Sequence, residues 1–274
     1  MSEAEGLQAT KGGWGSLGRV LALKRKLKAG KAICGAWLSL NDPAAGELLA
    51  RAGFDFLLID TEHGAWDLVT LQTTLMAFNG TDTVPIVRVP WNDHVRIKQA
   101  LDMGVEGIMA PMVRNVAECR ELVRSCRYPP QGARGFGPRR ASNYYRNLDD
   151  YVAIANEAIF VMPQIEDIAT VAVIDDYLAV PGIDAVAIGP NDLSGTTGLF
   201  RQHQHPTNKV AIDTIIKHAQ AAGVPVCLGI NSKPAEQRDL IARGVRILLI
   251  TSDLELLAAG ARQSLDANRQ AIGE

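Results

Sequence analysis

Short apolar runs rich in β-branched residues alternate along the chain with longer segments in which apolar residues recur at helical spacing. Eight of these runs have the length and composition of buried strands, at 32–38, 54–60, 84–89, 107–110, 159–165, 185–188, 224–228 and 245–250. Helical segments are predicted at 44–52, 67–78, 95–103, 116–125, 169–179, 209–222, 234–242 and 253–267. Strands that alternate with crossover helices form parallel sheets, so the pattern predicts an α/β fold, a single closed (β/α)8 TIM barrel.

The junctions between segments support one continuous domain. In the phrases RAGFDF, DMGVEG and ARGVRI a glycine follows a helical segment and an apolar strand starts directly after it. The 274 residues suit one barrel, and no Pro/Ser-rich linker divides them. We therefore predict a tail and lead-in helix over residues 1–29 and a barrel domain over 30–274. The longest interruption, 128–151, is rich in Pro, Gly and Arg and is predicted to be a lid.

Composition and charge exclude several classes of protein. Hydrophobic residues make up 47% of the chain, which is enough for a full core, and Lys+Arg 28 against Asp+Glu 30 gives a net charge of −2, which argues against nucleic acid as a partner. No apolar run reaches the ~20 residues that cross a bilayer, and the N-terminus has no apolar signal core, so we expect a cytoplasmic protein without a membrane partner. The four cysteines form no CxxC pair and are expected to be reduced structural thiols. The basic run at 24–28 is interpreted as the solvated face of the lead-in helix rather than a contact for an anionic surface.

Polar residues gather where the predicted strands end. In a parallel barrel the active site is built at the carboxyl ends of the strands, so residues at these positions share one mouth. They are Asp60, Glu62 and His63 after the second strand, Arg88 in the third, Gln164 and Glu166 at the fifth, and Gly189, Pro190, Asn191 and Asp192 after the sixth.

Each of these residue types allows more than one role. Glu166 and Asp192 are hard oxygen ligands that suit Mg²⁺, Mn²⁺ or Co²⁺, but Asp192 also fits the N-terminal cap of the next helix. His63 follows Asp60 closely and is either a general base held in one tautomer by that carboxylate or a structural histidine. Arg88 ends an apolar strand, where its cation needs either a neighbouring carboxylate or a substrate oxyanion.

The phrases GAWLSLNDP, FDFLLIDTEHG, VPIVRV, RYPPQGARGFG, VMPQIE and AIGPNDLS follow one another in the order seen in the HpcH/HpaI class of metal-dependent pyruvate aldolases. The sequence resembles this family over roughly residues 30–267. The resemblance implies a barrel of the phosphoenolpyruvate/pyruvate type. It also implies an aldehyde-lyase activity, in which 4-hydroxy-2-oxo acids are cleaved reversibly to pyruvate and an aldehyde with the help of a divalent metal ion.

The resemblance assigns roles to the same residues. Glu166 and Asp192 match the metal-binding carboxylates of the family, and the metal would act as a Lewis acid on the pyruvyl part of the substrate. Arg88 matches the arginine that meets the developing enolate oxygen. His63, paired with Asp60, matches a His-Asp dyad that removes the proton from the 4-hydroxyl group.

Further positions are expected to shape the substrate pocket. Gln164 completes its polar floor, and the N–H groups from Gly189 to Asp192, with Pro190 holding the turn and Asn191 within it, receive the pyruvate carboxylate at the start of a helix. Trp37 matches an indole that the family places beside the substrate, although from the residue alone a core tryptophan is equally consistent.

The chain departs from many relatives after RGFG, where it has Arg139 and Arg140 in place of small residues. The two arginines hold either a distal carboxylate of a longer oxo acid or solvated positions in a loop. The family associates as hexamers or trimers with the last helix exchanged between neighbours and the WND phrase, here Trp91–Asn92–Asp93, near another subunit's site. The resemblance therefore implies a homo-oligomer.

Other functions are less consistent with these residues. A Schiff-base aldolase needs a lysine in an apolar pocket at a strand end, and the sequence offers Lys233 in the polar phrase INSKP. Another enolate-forming carbon-carbon lyase, of the oxaloacetate decarboxylase or acyl-CoA lyase type, could use the same metal and Arg88. A catalytically inactive scaffold is expected to lose site residues, and none is missing. His203 and His205 lie in a polar loop and are interpreted as surface residues.

Overall fold

The computed structural model describes residues 17–229 and 233–273, so the predicted tail at 1–16 lies outside the described residues. The strands close into one parallel barrel in the order β1 to β8. They are β1 Ile33–Leu38, β2 Phe56–Asp60, β3 Val84–Arg88, β4 Gly107–Ala110, β5 Phe160–Ile165, β6 Val186–Ile188, β7 Val226–Cys227 and β8 Ile247–Ser252. The helices are α1 Gly18–Lys28, α2 Pro43–Ala50, α3 Leu68–Met76, α4 His94–Asp102, α5 Val116–Cys126, α6 Leu148–Ala158, α7 Ile168–Val171, α8 Ile174–Leu178, α9 Pro190–Thr196, α10 Pro206–Ala221, α11 Pro234–Ala242 and α12 Asp253–Ile272.

The predicted α/β barrel is confirmed, and each predicted strand overlaps an observed one. Strands β2 to β6 are buried at every residue, because side chains on one face fill the barrel and those on the other face pack under the helices. This burial explains why the strands appear in the sequence as continuous apolar runs.

Local sequence signals set the ends of the helices. Asp67 and Asp93 accept hydrogen bonds from the first-turn N–H groups of α3 and α4, the role of an N-cap. Gly53 and Gly104 follow α2 and α4 with φ of 96° and 92°, a left-handed conformation that glycine adopts without steric strain. The glycines in RAGFDF and DMGVEG therefore end their helices as predicted.

Two helical predictions are corrected. The helix predicted at 169–179 is divided into α7 and α8 around Val173, whose φ of −121° leaves the helical region. Helix α6 follows the long interruption and was not predicted. The β-branched residues of the phrase TVAVI lower the helical propensity of the first segment and are consistent with its division.

The lead-in helix α1 closes the amino-terminal end of the barrel, with Val20, Leu23 and Leu27 buried against it. The interpretation of its basic run as a solvated face is wrong for Lys24, whose side chain is 18% exposed, whereas the Lys26 side chain is 54% exposed. Cations of α1 reach acids that directly precede β2, β4 and β6, pairing Arg19 with Glu106 at 2.7 Å, Lys24 with Asp184 at 2.8 Å and Lys26 with Asp55 at 2.6 Å.

Residues 128–151 follow α5 and include the first turn of α6, which leads into β5; the loop before α6 therefore lies at the amino-terminal end of the barrel, opposite the strand ends that carry the site. The side chain of Arg134 is fully buried there and donates to Tyr151 Oη at 3.0 Å and Asp102 Oδ1 at 2.9 Å. The lid prediction is wrong within this chain. The RYPPQGARG phrase instead attaches this end of the barrel through three buried side chains, those of Arg127, Tyr128 and Arg134.

Arg139 and Arg140, which follow the RGFG phrase, also lie at the amino-terminal end of the barrel. Arg140 is buried and donates to the carbonyl groups of Met103 at 2.6 Å and Leu75 at 3.0 Å, which terminate α4 and α3. Arg139 is exposed. Neither arginine is near the carboxyl ends of this chain's strands, so binding of a distal substrate carboxylate within the same subunit is excluded for both.

All helices over residues 17–229 and 233–273 are too short or too polar to span a membrane.

Candidate active site

A cavity of about 260 Å³ opens at the carboxyl ends of the strands. Nine predicted site residues line it, namely Trp37, Asp60, His63, Arg88, Gln164, Gly189, Pro190, Asn191 and Asp192. Met109, Ala187, Cys227 and Leu249 add apolar wall. Glu166 lies directly beside this set, since it accepts a hydrogen bond from Gln164. The structure therefore brings all ten predicted residues to one place.

Arg88 is held by a two-point ion pair. Asp60 and Arg88 are register partners on β2 and β3, so their side chains leave the sheet on the same face. The Nε atom of Arg88 donates to Asp60 Oδ1 at 2.9 Å, Nη2 donates to Oδ2 at 2.7 Å, and Glu62 Oε2 lies 3.2 Å from Nε. Nη1 makes no hydrogen bond to any residue in the described part of the chain, which leaves this donor for a substrate oxygen.

The indole ring of Trp37 also contacts the guanidinium group of Arg88. The guanidinium carbon of Arg88 lies 4.4 Å from the centre of the ring, within the range of a cation–π contact. Trp37 lines the cavity and also packs against the barrel core, so the two roles that the sequence left open are compatible.

The expected pairing of the His63 imidazole with Asp60 is corrected. Both Asp60 oxygens are engaged by Arg88, and Oδ1 also accepts the backbone N–H groups of Glu62 at 3.2 Å and His63 at 3.3 Å. The His63 side chain is 68% exposed, and its Nε2 lies 3.8 Å from Glu62 Oε2. Glu62 is therefore the carboxylate nearest the imidazole, and Asp60 positions Arg88 and the turn that carries His63.

Glu166 is buried and fixed at both oxygens. The backbone N–H of Met112 donates to Oε1 and the side-chain amide of Gln164 donates to Oε2, both at 2.6 Å. Burial, together with the negative charges of Asp192 and Glu62, raises the pKa of Glu166 to about 7 despite the opposing effect of the two hydrogen bonds. A cation beside Glu166 would offset this unfavourable burial of charge.

Gly189 makes room for these groups. A Cβ atom at this position would lie 2.3 Å from Glu166 Oε2 and 2.6 Å from Gln164 Nε2, far inside van der Waals contact. The glycine of the GPND phrase is therefore required by the carboxylate and the amide beside it.

The start of α9 supplies fewer donors than the sequence suggested. The N–H of Gly189 already donates to the carbonyl of Ile165 at 3.0 Å, and Pro190 has no N–H. Within the residues that the structure describes, the N–H groups of Asn191 and Asp192 have no hydrogen-bond partner, and both residues line the cavity. These two donors are the ones available to a substrate carboxylate.

The donor set fits a divalent cation. A carboxylate has about four lone-pair sites, and each oxygen of Glu166 uses one for its hydrogen bond. Asp192 is exposed and interacts electrostatically with Glu166, which places both charges around one space. Two carboxylates that leave further positions to water and substrate are the usual arrangement for Mg²⁺ or Mn²⁺. Glu166 and Asp192 are thus the residues that would hold the metal.

The sequence did not predict the role of Met112, a residue that contacts Glu166. Met112 reaches Glu166 through its backbone N–H, and it adopts a left-handed conformation with φ of 53°. No property of a methionine side chain signals this role. Its place directly after β4, at the mouth of the barrel, is the signal that was available.

Two residues that suggested alternative functions have other positions. Lys233 is exposed at the start of α11, whereas a Schiff-base lysine needs apolar surroundings. His205 caps α10 by accepting from the N–H of Thr207 at 3.3 Å. Both findings agree with the expectations from the sequence.

Comparisons with known proteins agree with this geometry. The sequence profile of the HpcH/HpaI aldolase/citrate lyase family matches residues 34–259. A 4-hydroxy-2-oxo-heptane-1,7-dioate aldolase of Salmonella paratyphi A is 42% identical over 243 residues, which cover 88% of this chain and 91% of that enzyme.

Solved structures show the same similarity. A HpcH/HpaI aldolase/citrate lyase family protein from Burkholderia cenocepacia J2315 superposes with a TM-score of 0.84 at 31% identity, covering 90% of this chain and 99% of that one. The citrate synthase SbnG superposes with a TM-score of 0.82 at 31% identity, covering 92% and 99%. The family profile spans most of this barrel, including every residue gathered at its mouth, and the chain belongs to the HpcH/HpaI aldolase/citrate lyase family.

Proposed function

We propose that the protein is a divalent-metal-dependent aldolase that reversibly cleaves 4-hydroxy-2-oxo acids to pyruvate and an aldehyde. The observation that carries this proposal is the juxtaposition of two carboxylates, Glu166 and Asp192, with the clamped guanidinium of Arg88 in one small cavity. The 42% identity to an aldolase of this kind supports the substrate class.

The metal would be Mg²⁺, Mn²⁺ or Co²⁺, held by Glu166 and Asp192. When bound, it supplies Lewis-acid activation of the 2-oxo acid. The N–H groups of Asn191 and Asp192 bind the carboxylate of the pyruvyl part, and Gln164 provides the polar floor. These contacts orient the carbon chain so that C4 and its hydroxyl group project towards the mouth of the cavity.

Arg88 stabilises the charge that develops during cleavage. When the C3–C4 bond breaks, its electron pair passes into the pyruvyl part, and negative charge grows on the C2 oxygen. The free Nη1 donor is available to that oxygen, while Asp60 and Trp37 prevent the guanidinium from turning away.

His63 removes the proton from the 4-hydroxyl group as the aldehyde forms, and it returns the proton in the aldol direction. Its exposure at the mouth of the cavity supports this role, since the aldehyde half would leave through the mouth. The Oε2 atom of Glu62 lies 3.8 Å from Nε2 of this imidazole.

A second candidate is another lyase reaction through the same enolate, because a citrate synthase shares this fold at 31% identity. Decarboxylation of oxaloacetate would use the same metal and Arg88. A cavity of about 260 Å³ suits a small oxo acid better than an acyl-CoA.

The test is pyruvate release, coupled to lactate dehydrogenase, from a panel of 4-hydroxy-2-oxo acids and from oxaloacetate. Each substrate is assayed after EDTA treatment and after addition of Mg²⁺, Mn²⁺ or Co²⁺. We expect cleavage of hydroxy-oxo acids that needs the metal and is lost in Glu166→Ala and Asp192→Ala. Full activity after metal removal would refute the proposal, and turnover of oxaloacetate alone would establish the second candidate.

We also propose that the protein is a homo-oligomer, a hexamer or trimer. Helix α12 leaves the barrel after its first residue, and every described side chain from Leu256 to Arg269 is exposed. Leu254, Leu257, Leu265 and Ile272 fall on one helical face and are 50 to 72% exposed, an apolar stripe that a neighbouring subunit would cover. Light scattering on the full chain and on Leu257→Ser/Leu265→Ser measures this directly, with the wild type expected to be larger than one chain. The cytoplasmic location stays a prediction from the sequence.

A further inference from the structure

The loop between β4 and α5, residues 111–115, contacts the proposed metal ligand Glu166. Its Met112 N–H donates to Glu166 Oε1 at 2.6 Å, and Met112 makes this contact from a left-handed conformation with φ of 53°. A non-glycine residue in that conformation costs about 1–3 kcal/mol, so surrounding contacts must hold it.

Two buried hydroxyl groups hold the loop from the opposite side. Tyr177 O–H donates to the carbonyl of Val113 at 3.1 Å, and Thr170 O–H donates to the carbonyl of Arg114 at 2.7 Å. Both Tyr177 and Thr170 are 0% exposed. Their bonds fix the two residues that directly follow Met112.

The helices that carry these two hydroxyl groups directly follow Glu166 in the chain. Thr170 belongs to α7 and Tyr177 to α8, the two short helices that follow Glu166 in the chain. The segment after Glu166 therefore folds back onto the β4–α5 loop, and the loop in turn donates to Glu166. The break between α7 and α8 lies between the two hydroxyl-bearing residues.

We propose that Tyr177 and Thr170 are positioning residues that set the affinity of the site for its divalent cation. They act by keeping the Met112 N–H directed at Glu166 Oε1, so that the carboxylate keeps one orientation while its remaining lone pairs stay available. The inference rests on the proposed function, because Glu166 matters here as a metal ligand. Loss of a hydrogen-bonding partner of a ligand typically lowers metal affinity by about 10–100-fold. Tyr177 and Thr170 act one step further away, so we expect about three- to tenfold for each.

The experiment measures the Kd for Mn²⁺ by calorimetry and by the electron paramagnetic resonance signal of free Mn²⁺, with no substrate present. The variants are Tyr177→Phe, which removes only the hydroxyl group, Thr170→Val, and Thr170→Ser, which keeps the hydroxyl group. We expect a three- to tenfold higher Kd for the first two and the wild-type Kd for Thr170→Ser.

Matched controls separate positioning from stability. Tyr151→Phe and Thr83→Val remove equally buried hydroxyl groups that bond at the amino-terminal end of the barrel. These two variants are expected to lower Tm while leaving the Kd for Mn²⁺ unchanged.

The possible outcomes distinguish a failure of this inference from a failure of the proposed function. A wild-type Kd in Tyr177→Phe and Thr170→Val, with Mn²⁺ binding lost in Glu166→Ala, would overturn this inference alone. Equal increases in Kd in the controls would also overturn it, since general destabilisation would then explain the effect. Absence of Mn²⁺ binding in the wild type would overturn the proposed function and this inference together.

Discussion

Replacing Gly189 by alanine tests the geometry of the site most directly. The added Cβ would lie 2.3 Å from Glu166 Oε2 and 2.6 Å from Gln164 Nε2, whereas ordinary contacts begin at 3.4 Å. The carboxylate must therefore move by about 1 Å or lose its bond to Gln164. A misplacement of this size typically lowers catalytic efficiency by about 10²-fold. Metal–ligand distances tolerate only about 0.2 Å, so affinity for Mn²⁺ should fall as well.

The assay compares kcat/KM for pyruvate release and the Kd for Mn²⁺ between Gly189→Ala and the wild type. Gly195→Ala is the matched control, because it lies in the same helix and its Cβ would meet the ring of Phe200 at an ordinary 3.6 Å. We expect the control to retain wild-type values and Gly189→Ala to stay folded, since one methyl group too many in a packed region costs about 1–3 kcal/mol. Retention of kcat/KM within threefold in Gly189→Ala would show that catalysis does not depend on this position of Glu166.

Further predictions concern the charges of the site. Asp60→Asn leaves the buried Arg88 guanidinium without its bidentate carboxylate, so kcat/KM should fall by about 10²-fold or more, and urea unfolding should show a loss of about 3–5 kcal/mol. Burial raises the pKa of Glu166 from 4.5 to about 7, so the folded protein binds an extra proton between these values. The free energy of unfolding of the metal-free protein should therefore decrease by up to about 3 kcal/mol as pH rises from 4.5 through 7, and Glu166→Gln should remove that slope.

Much of this protein follows from the sequence. The eight strands could be located because a strand covered on both faces must be apolar at every position, and this pattern is visible in a single chain. The grouping of Asp60, Arg88, Glu166 and Asp192 also followed, since parallel strands of a barrel all end at the same mouth.

The partners of these residues were decided by the tertiary structure. Asp60 lies three residues from His63 in sequence, yet it pairs with Arg88, because the register of β2 on β3 places the two side chains opposite each other. The backbone N–H of Met112 donates to Glu166, and Met112 is in a left-handed conformation. The residue type methionine does not predict that conformation.

The RYPPQGARG phrase shows most clearly what the sequence predicts and what only the tertiary structure determines. Its residue types identify it as a special segment, but a proline- and glycine-rich stretch has the same composition whether it covers a site or builds a joint. Only its position after α5 and before β5 sends it to the amino-terminal end of the barrel, where Arg134 is buried against Asp102 and Tyr151. The composition of a segment can be read from the sequence alone. Its burial and its ion pairs depend on residues that are far apart in sequence and come together only in the folded structure.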